Sequence, residues 1–205
     1  MQAQTLMCAR AKCGMPIGRT GRIKFARVFK LGFPIGLTTL AEVALFAVSA
    51  VFMGWLGEVA LAAHGAALQI ASATFMMHVG LSNAATIRAG NAFGRGDRDH
   101  MARGARVVMA MSLGLSVLGM ILFLAVPEAL ISLFLSPDDP DRAEIVLIGS
   151  VLLAAAALFQ LMDGMQVIAL GLLRGVQDTG VPMVIAALSY WAGGIPASYL
   201  LGFTF

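Results

Sequence analysis

Charged residues are scarce in this 205-residue chain. Only 12% of the residues are Asp, Glu, Lys or Arg, whereas 59% are hydrophobic. A typical soluble domain carries about 25% charged residues. Together with a mean hydropathy of +0.86, the shortage of charge excludes an ordinary soluble domain. It predicts an integral membrane protein, with the lipid bilayer as a partner.

The chain also lacks the patterns of a catalytic or metal-binding protein. Its two cysteines, Cys8 and Cys13, have no CxxC spacing and no nearby histidine, which disfavours a metal site and a disulfide framework. We find no nucleotide-binding loop and no nucleophile–base arrangement. These absences disfavour an enzyme and a resident cofactor. The pI near 9.2 does not indicate nucleic acid, because the basic residues cluster beside apolar runs.

Five apolar stretches are each long enough to cross a bilayer, which needs about 20 residues. A lipid-exposed backbone must satisfy its polar groups within its own segment, so each stretch predicts a helix and the fold class is all-α. Residues 1–30 form a basic segment that we expect to be cytoplasmic, and residues 31–205 form one transmembrane lobe. The five predicted spans are 31–57, 59–87, 107–127, 145–173 and 181–205.

Lys and Arg lie almost entirely on one side of these spans. Seven are in residues 1–30, five in the connection 88–106 and one in the turn 174–180, whereas Arg142 alone lies among four acids in 135–144. The positive-inside rule therefore predicts a plasma (inner) membrane protein with a cytoplasmic amino end and Phe205 at the outer side. The odd number of spans and the lack of a polar tail suggest a truncated protein.

Two spans each contain a single acid, Glu42 and Asp163. A charged side chain at the bilayer centre costs about 2.5–3.5 kcal/mol on insertion scales, so it usually faces a cavity or a partner. Glu42 lies at the middle of its span, and Asp163 lies about four residues, or roughly 6 Å, from the middle of its own. We expect both acids at a similar depth.

Polar residues accompany these acids. Oxygen-rich clusters suit Na⁺ as a hard cation, or hold a proton on a desolvated carboxyl. The alternative is that each acid only forms a hydrogen bond with a neighbouring helix. For His78, a proton relay and a hydrogen-bonded packing role both remain open. The candidate cavity-lining residues are Thr38, Thr39, Gln69, Asn83, Gln160 and Gln166.

Small residues and prolines suggest how the helices pack. The pairs Gly32/Gly36 and Gly171/Gly175 are G-x-x-x-G patterns, which permit close approach of two helix backbones. Pro34 falls near the start of the first predicted span, where a first-turn proline is expected rather than a kink.

The order of these features resembles the multidrug and toxic compound extrusion (MATE) family over roughly residues 25–205. The resemblance rests on the motifs LGFPIGLTTLAEVALFAV, LGEVALAAH, IRAGNAFGRGD and FQLMDGMQVIALGLLRGVQDT. They look like helices seven to eleven of that family. The resemblance implies an incomplete carboxyl-terminal lobe, with the basic amino end as the linker between lobes.

The resemblance also implies a function. MATE proteins exchange Na⁺ or H⁺ for organic, often cationic drugs through two six-helix lobes, and their helix-seven and helix-ten acids correspond to Glu42 and Asp163. Some relatives carry a tyrosine where this chain has Phe159, so that hydroxyl is missing. The absent lobe, or another copy of the chain, is a predicted partner, because alternating access needs two lobes.

Two other functions remain as alternatives. One is a transporter related to lipid-linked sugar flippases, which we expect to carry more basic residues in its cavity than this chain does. The other is a non-transporting remnant or a helix-packing membrane subunit.

Overall fold

The computed structural model describes residues 17–203, and this part of the chain is almost entirely helical, with no strands. A single π-helical turn, Ser189–Gly194, lies between the last two α-helices. Cys8, Cys13 and Phe205 lie outside the described residues, as does the first half of the basic segment. The α-helices are α1 (Ile17–Leu56), α2 (Glu58–Arg95), α3 (Arg98–Ala125), α4 (Pro127–Ser132), α5 (Arg142–Gly175), α6 (Gly180–Leu188) and α7 (Ile195–Phe203).

The five predicted spans are confirmed as helices that are long and apolar enough to cross a membrane. Their bounds are Val28–Leu56, Glu58–Arg95, Arg98–Ala125, Arg142–Gly175 and Gly180–Leu200. Many large apolar side chains on these helices are exposed, as expected for surfaces that lipid covers. The all-α membrane bundle predicted from composition is therefore the observed fold.

Most of the connection 88–106 is helical, because only Gly96 and Asp97 separate α2 from α3. Gly96 has φ 70° and closes α2, with backbone bonds from Gly96 to Phe93 and from Asp97 to Ala92. The Asp97 side chain then accepts a bond from the His100 amide (2.9 Å) and caps α3. Hydrophobicity ends at the membrane surface, but the helical hydrogen bonds continue beyond it.

Helices α2, α3 and α5 form the core of the bundle, with α4 covering one end. One buried cluster contains Ile70, Phe123, Ile131 and Leu153, and a second contains Ala85, Val108 and Ile168. Helices α2 and α5 run in the same direction and pack along most of their length. Two hydroxyls bridge them: Ser82 donates to the Val167 carbonyl (2.7 Å) and Thr86 to the Gly171 carbonyl (2.8 Å).

Of the two G-x-x-x-G patterns, only the one in α5 mediates close packing. A Cβ atom added to Gly175 would lie 2.6 Å from the Thr86 carbonyl oxygen, and one added to Gly171 would lie 2.7 Å from that of Ser82. At Gly36 the same atom would meet nothing within 4 Å. The prediction is thus confirmed for α5 and wrong for α1.

Pro34 lies well inside α1, so the expected first-turn position is also wrong. The helix begins at Ile17, far upstream of the apolar run, and continues through the basic residues before the membrane span. Pro34 has no amide hydrogen and therefore cannot make the usual bond to the preceding turn. The Thr38 hydroxyl donates to the Pro34 carbonyl (2.9 Å) one turn later.

The remaining elements form a second group. Helix α1 contacts α6, the π-helical turn and α7, and it reaches the core group mainly through α2. Glu42 lies on α1 in this second group, whereas Asp163 lies on α5 in the core group. We call the boundary between α1 and α5 the acid seam, and Glu42 with Asp163 the acid pair.

Candidate functional site

Two phenylalanines fix the alignment of α1 with α5. The rings of Phe46 and Phe159 meet edge to face, with their centroids 6.5 Å apart and their planes at 88°. Nearer the amino end of α1, Thr38 lines a small cavity together with Leu170 and Arg174 of α5. Residue numbers rise on one helix as they fall on the other, so α1 and α5 are antiparallel.

This alignment places the acid pair at one depth. Glu42 lies four residues from Phe46, and Asp163 lies four residues from Phe159, both toward the amino end of α1. Four residues of α-helix correspond to about 6 Å, so each acid is one turn below the aromatic contact. Both side chains are partly buried, and they are close enough to interact electrostatically. The structure therefore places the two acids that the sequence singled out at the same depth of the acid seam.

A third segment contributes Tyr190, which the sequence analysis missed. It lies on the π-helical turn, is half-buried, and is within electrostatic range of both acids. The side-chain N–H of Gln166 donates a hydrogen bond to its hydroxyl oxygen. The only available signal was the position of a tyrosine near the middle of an apolar span.

Arg174 is a second side chain at the acid seam, and its position in the structure differs from the position that the sequence predicts. The sequence predicts that it lies in the turn 174–180, whereas in the structure it lies in the last turn of α5, is partly buried, and acts electrostatically on Glu42. It lines the cavity at the end of the acid seam with Thr38, Asp178 and Thr179. The seam thus has aromatic rings at one end, a cation at the other and two acids between them.

Comparison with known proteins identifies the family. The MatE family model matches residues 34–200. The chain belongs to the MatE family. This match includes both acids, Gln166 and Tyr190, so the whole acid seam lies within the family domain.

Curated relatives of this MatE chain are multidrug resistance proteins. It is 46% identical over 176 residues to the "Probable multidrug resistance protein NorM" of Agrobacterium fabrum, which covers 86% of this chain and 38% of the relative. The corresponding protein of Rhizobium meliloti is 42% identical over 179 residues, covering 87% and 38%. The "Multidrug resistance protein NorM" of Burkholderia vietnamiensis is 39% identical over 174 residues, covering 84% and 37%. The MatE chain spans about two fifths of the length of these relatives.

The predicted cavity-lining residues of the MatE chain do not all lie at the acid seam. Thr38 is buried at the end of the seam, and Gln166 contacts Tyr190 within it. Thr39 is exposed and its hydroxyl donates to the Ile35 carbonyl (3.1 Å). Gln69 and Asn83 are both exposed side chains of α2.

Gln160 lies inside the core group instead, in a cluster with Thr74, His78 and Ser116. Its Oε1 accepts a hydrogen bond from the Thr74 hydroxyl (2.7 Å), and its Nε2 has no partner among the described residues. The His78 ring is fully buried, with Nδ1 3.1 Å from the Thr74 carbonyl and Nε2 2.9 Å from the Ser116 hydroxyl. His78 thus has the hydrogen-bonded packing environment considered above, and a proton relay stays a prediction.

Among residues 17–203 of the MatE chain, no three His, Cys, Asp or Glu side chains come together. The acid seam instead offers carboxylate, amide and phenol oxygens, which are ligands that suit hard cations such as Na⁺.

Proposed function

We propose that this chain is the cation-coupling part of a multidrug antiporter, with Glu42 and Asp163 binding the coupling ion, Na⁺ or H⁺. The observation that carries the proposal is the convergence of these two acids at one depth of the acid seam. Acids in a membrane helix are costly, and two acids at one depth of the same seam are a functional hypothesis by default. Membership of the MatE family and the names of the relatives support the multidrug substrate class.

The coupling follows from where the acids lie. Glu42 belongs to the second helix group and Asp163 to the core group, so an ion bound between them draws the two groups together. Loss of the ion leaves two carboxylates whose repulsion separates them. An ion can shift such an equilibrium only by its difference in affinity for the two arrangements. Drug binding would favour the separated arrangement, and exchange of ion for drug is antiport.

The orientation is proposed from the distribution of charge. The beginning of α1, the helix ends that flank the α2–α3 turn and the last turn of α5 lie at one end of the bundle, and among residues 17–203 they hold every Lys and Arg except Arg142. By the positive-inside rule, this end faces the cytoplasm of the cell and the protein lies in the plasma (inner) membrane.

A chimera tests the function. Residues 34–200 replace the matching segment of the Agrobacterium fabrum relative, and ethidium efflux is measured in an efflux-deficient bacterial host. We expect the chimera to export ethidium, and Asp163→Asn or Glu42→Gln to reduce export at least tenfold. Asp138→Asn is the matched control, because Asp138 is an exposed acid outside the seam.

Unchanged export by Asp163→Asn at equal protein level contradicts the proposed role of the acid pair. An inactive chimera that inserts normally favours the helix-packing subunit instead. Dependence of efflux on an imposed Na⁺ gradient, at constant pH, distinguishes Na⁺ from H⁺ coupling.

A further inference from the structure

A shallow groove lies between α2 and α3, close to the turn that joins them. The two helices run antiparallel, because only Gly96 and Asp97 separate them. Small side chains such as Ala89 and Ala105 line the groove, and a Cβ atom added to Gly104, another lining residue, would meet nothing within 4 Å. The described lining residues all come from α2, α3 and α5. The α2–α3 groove therefore has unfilled space and is separate from the acid seam.

The α2–α3 groove changes from apolar to basic along its length. Ala85 and Val108 line the end that lies deeper in the bundle. Arg88, about one turn further along α2, is exposed and is the first charged residue after the apolar run 59–87. His100, in the first turn of α3, lines the end nearest the connecting turn and is partly buried. The groove thus has apolar walls at the depth of the hydrocarbon and basic side chains where the helices leave it.

The charge around the α2–α3 groove favours an anion. None of the described lining residues is an acid. Residues 88–106 contain five arginines and only two aspartates. One of these, Asp97, accepts its hydrogen bond from the backbone amide of His100, not from the imidazole ring. A phosphate in the groove would therefore meet the N–H donors of Arg88 and His100, and charge-assisted hydrogen bonds to phosphate are the stronger kind.

We propose that the α2–α3 groove binds one anionic phospholipid. Its phosphate lies at Arg88 and His100, and an acyl chain lies along Ala85 and Val108. A phospholipid carries an anion and an apolar chain in the order in which the groove offers their partners, whereas free phosphate would use the basic end alone. A zwitterionic headgroup adds a cation that finds no carboxylate among the lining residues, and basic pockets between membrane helices recognise anionic headgroups. This site is independent of the coupling ion.

Native mass spectrometry of the full chain, released from dodecyl maltoside micelles, tests this proposal by counting bound lipids. Palmitoyl-oleoyl phosphatidylglycerol is titrated against phosphatidylcholine, a zwitterionic lipid with the same acyl chains. An attraction of about 1 kcal/mol per arginine corresponds to about fivefold in affinity, so we expect the first phosphatidylglycerol to bind at least about fivefold more tightly. Excess inorganic phosphate should not displace it.

Two substitutions remove different features of the groove. Arg88→Gln removes the charge and should weaken binding of phosphatidylglycerol about fivefold. Gly104→Leu keeps every charge but fills the unoccupied space, and it should weaken binding at least as much. Arg95→Gln is the matched control, because Arg95 is an exposed arginine near the end of the same helix that does not line the groove. It should leave binding unchanged.

The outcomes decide between a built site and general attraction to a basic surface. Equal weakening by Arg88→Gln and Arg95→Gln overturns the proposal, because the lipid would then follow the net charge. Unchanged binding in Gly104→Leu, equal affinity for the two lipids, or displacement by inorganic phosphate also overturns it. Circular dichroism verifies folding, and if Arg88→Gln loses helicity, Gly104→Leu and His100→Gln decide the result.

Discussion

Helices α2 and α5 approach most closely at Gly175, and this contact gives a sharp prediction. In Gly175→Ala, the new methyl group would lie 2.6 Å from the Thr86 carbonyl oxygen, 2.8 Å from the Ala89 Cβ and 3.1 Å from the Gly90 amide nitrogen. Two of these atoms belong to the α2 backbone, which cannot move without shifting the whole helix. The substitution therefore forces the two helices apart.

The magnitude of the destabilisation follows from two unfavourable effects and one favourable effect. Overpacking a close contact typically costs about 1–3 kcal/mol. Separation also weakens the hydroxyl bonds of Ser82 and Thr86 to α5, each worth about 0.6 kcal/mol in a membrane bundle. Alanine offsets up to about 1 kcal/mol of this through its higher helix propensity. We expect Gly175→Ala to lower the free energy of unfolding by about 1–3 kcal/mol.

Gly36→Ala is the matched control, because it is the same substitution in the other G-x-x-x-G pattern, at a position with nothing within 4 Å. It keeps only the propensity gain and should change stability by about 0 to 1 kcal/mol in the stabilising direction. Both variants are unfolded by titrating sodium dodecyl sulfate into dodecyl maltoside micelles, with helicity followed by circular dichroism. Equal unfolding midpoints for the two variants would refute the close α2–α5 contact.

Three further predictions use the same titration. A double-mutant cycle of Phe46→Ala and Phe159→Ala should give a coupling energy of about 0.5–1.5 kcal/mol, as for an edge-to-face aromatic pair, and zero coupling would contradict the alignment of α1 with α5. Asp97→Ala should cost about 1 kcal/mol through loss of the α3 cap, whereas Asp99→Ala, in the first turn of α3, should cost less. Gln160→Leu should change stability by less than about 1 kcal/mol, because losing the Thr74 bond is offset by removing a buried N–H that has no partner among residues 17–203. A loss above about 2 kcal/mol would instead show that this N–H has a partner such as a bound water.

Much of the fold was predictable because a bilayer imposes simple rules on sequence. Span number follows from apolar length, and helicity follows from the need to satisfy backbone polar groups in lipid. Helix ends were less predictable, since charged residues such as those around Gly96 continue a helix outside the membrane. The same reason explains Pro34, which looked like a first-turn proline only because the helix was assumed to start with the apolar run.

The acid pair was predictable for a related reason. An ionisable side chain in an apolar span is costly, so its presence alone marks Glu42 and Asp163. Their polar companions were less predictable, because helical spacing gives the face of one helix but not the neighbour it meets. Gln160 and Gln166 each lie three residues from Asp163 along the helix. Gln160, however, forms a hydrogen bond with Thr74 inside the core group, whereas Gln166 forms one with Tyr190.

The sequence by itself thus determined that this protein lies in a lipid bilayer, that it has five spans, and that two of the spans carry an acid. Each of these conclusions depends on the free-energy cost of placing a residue type in lipid. Only the tertiary structure decided which small residues are contacts, as the contrast between Gly175 and Gly36 shows. It also placed Tyr190 against Gln166 of α5, through a π-helical turn that no local pattern predicts. Packing depends on how helices rotate and shift against one another, and that is set by contacts between residues far apart in the chain.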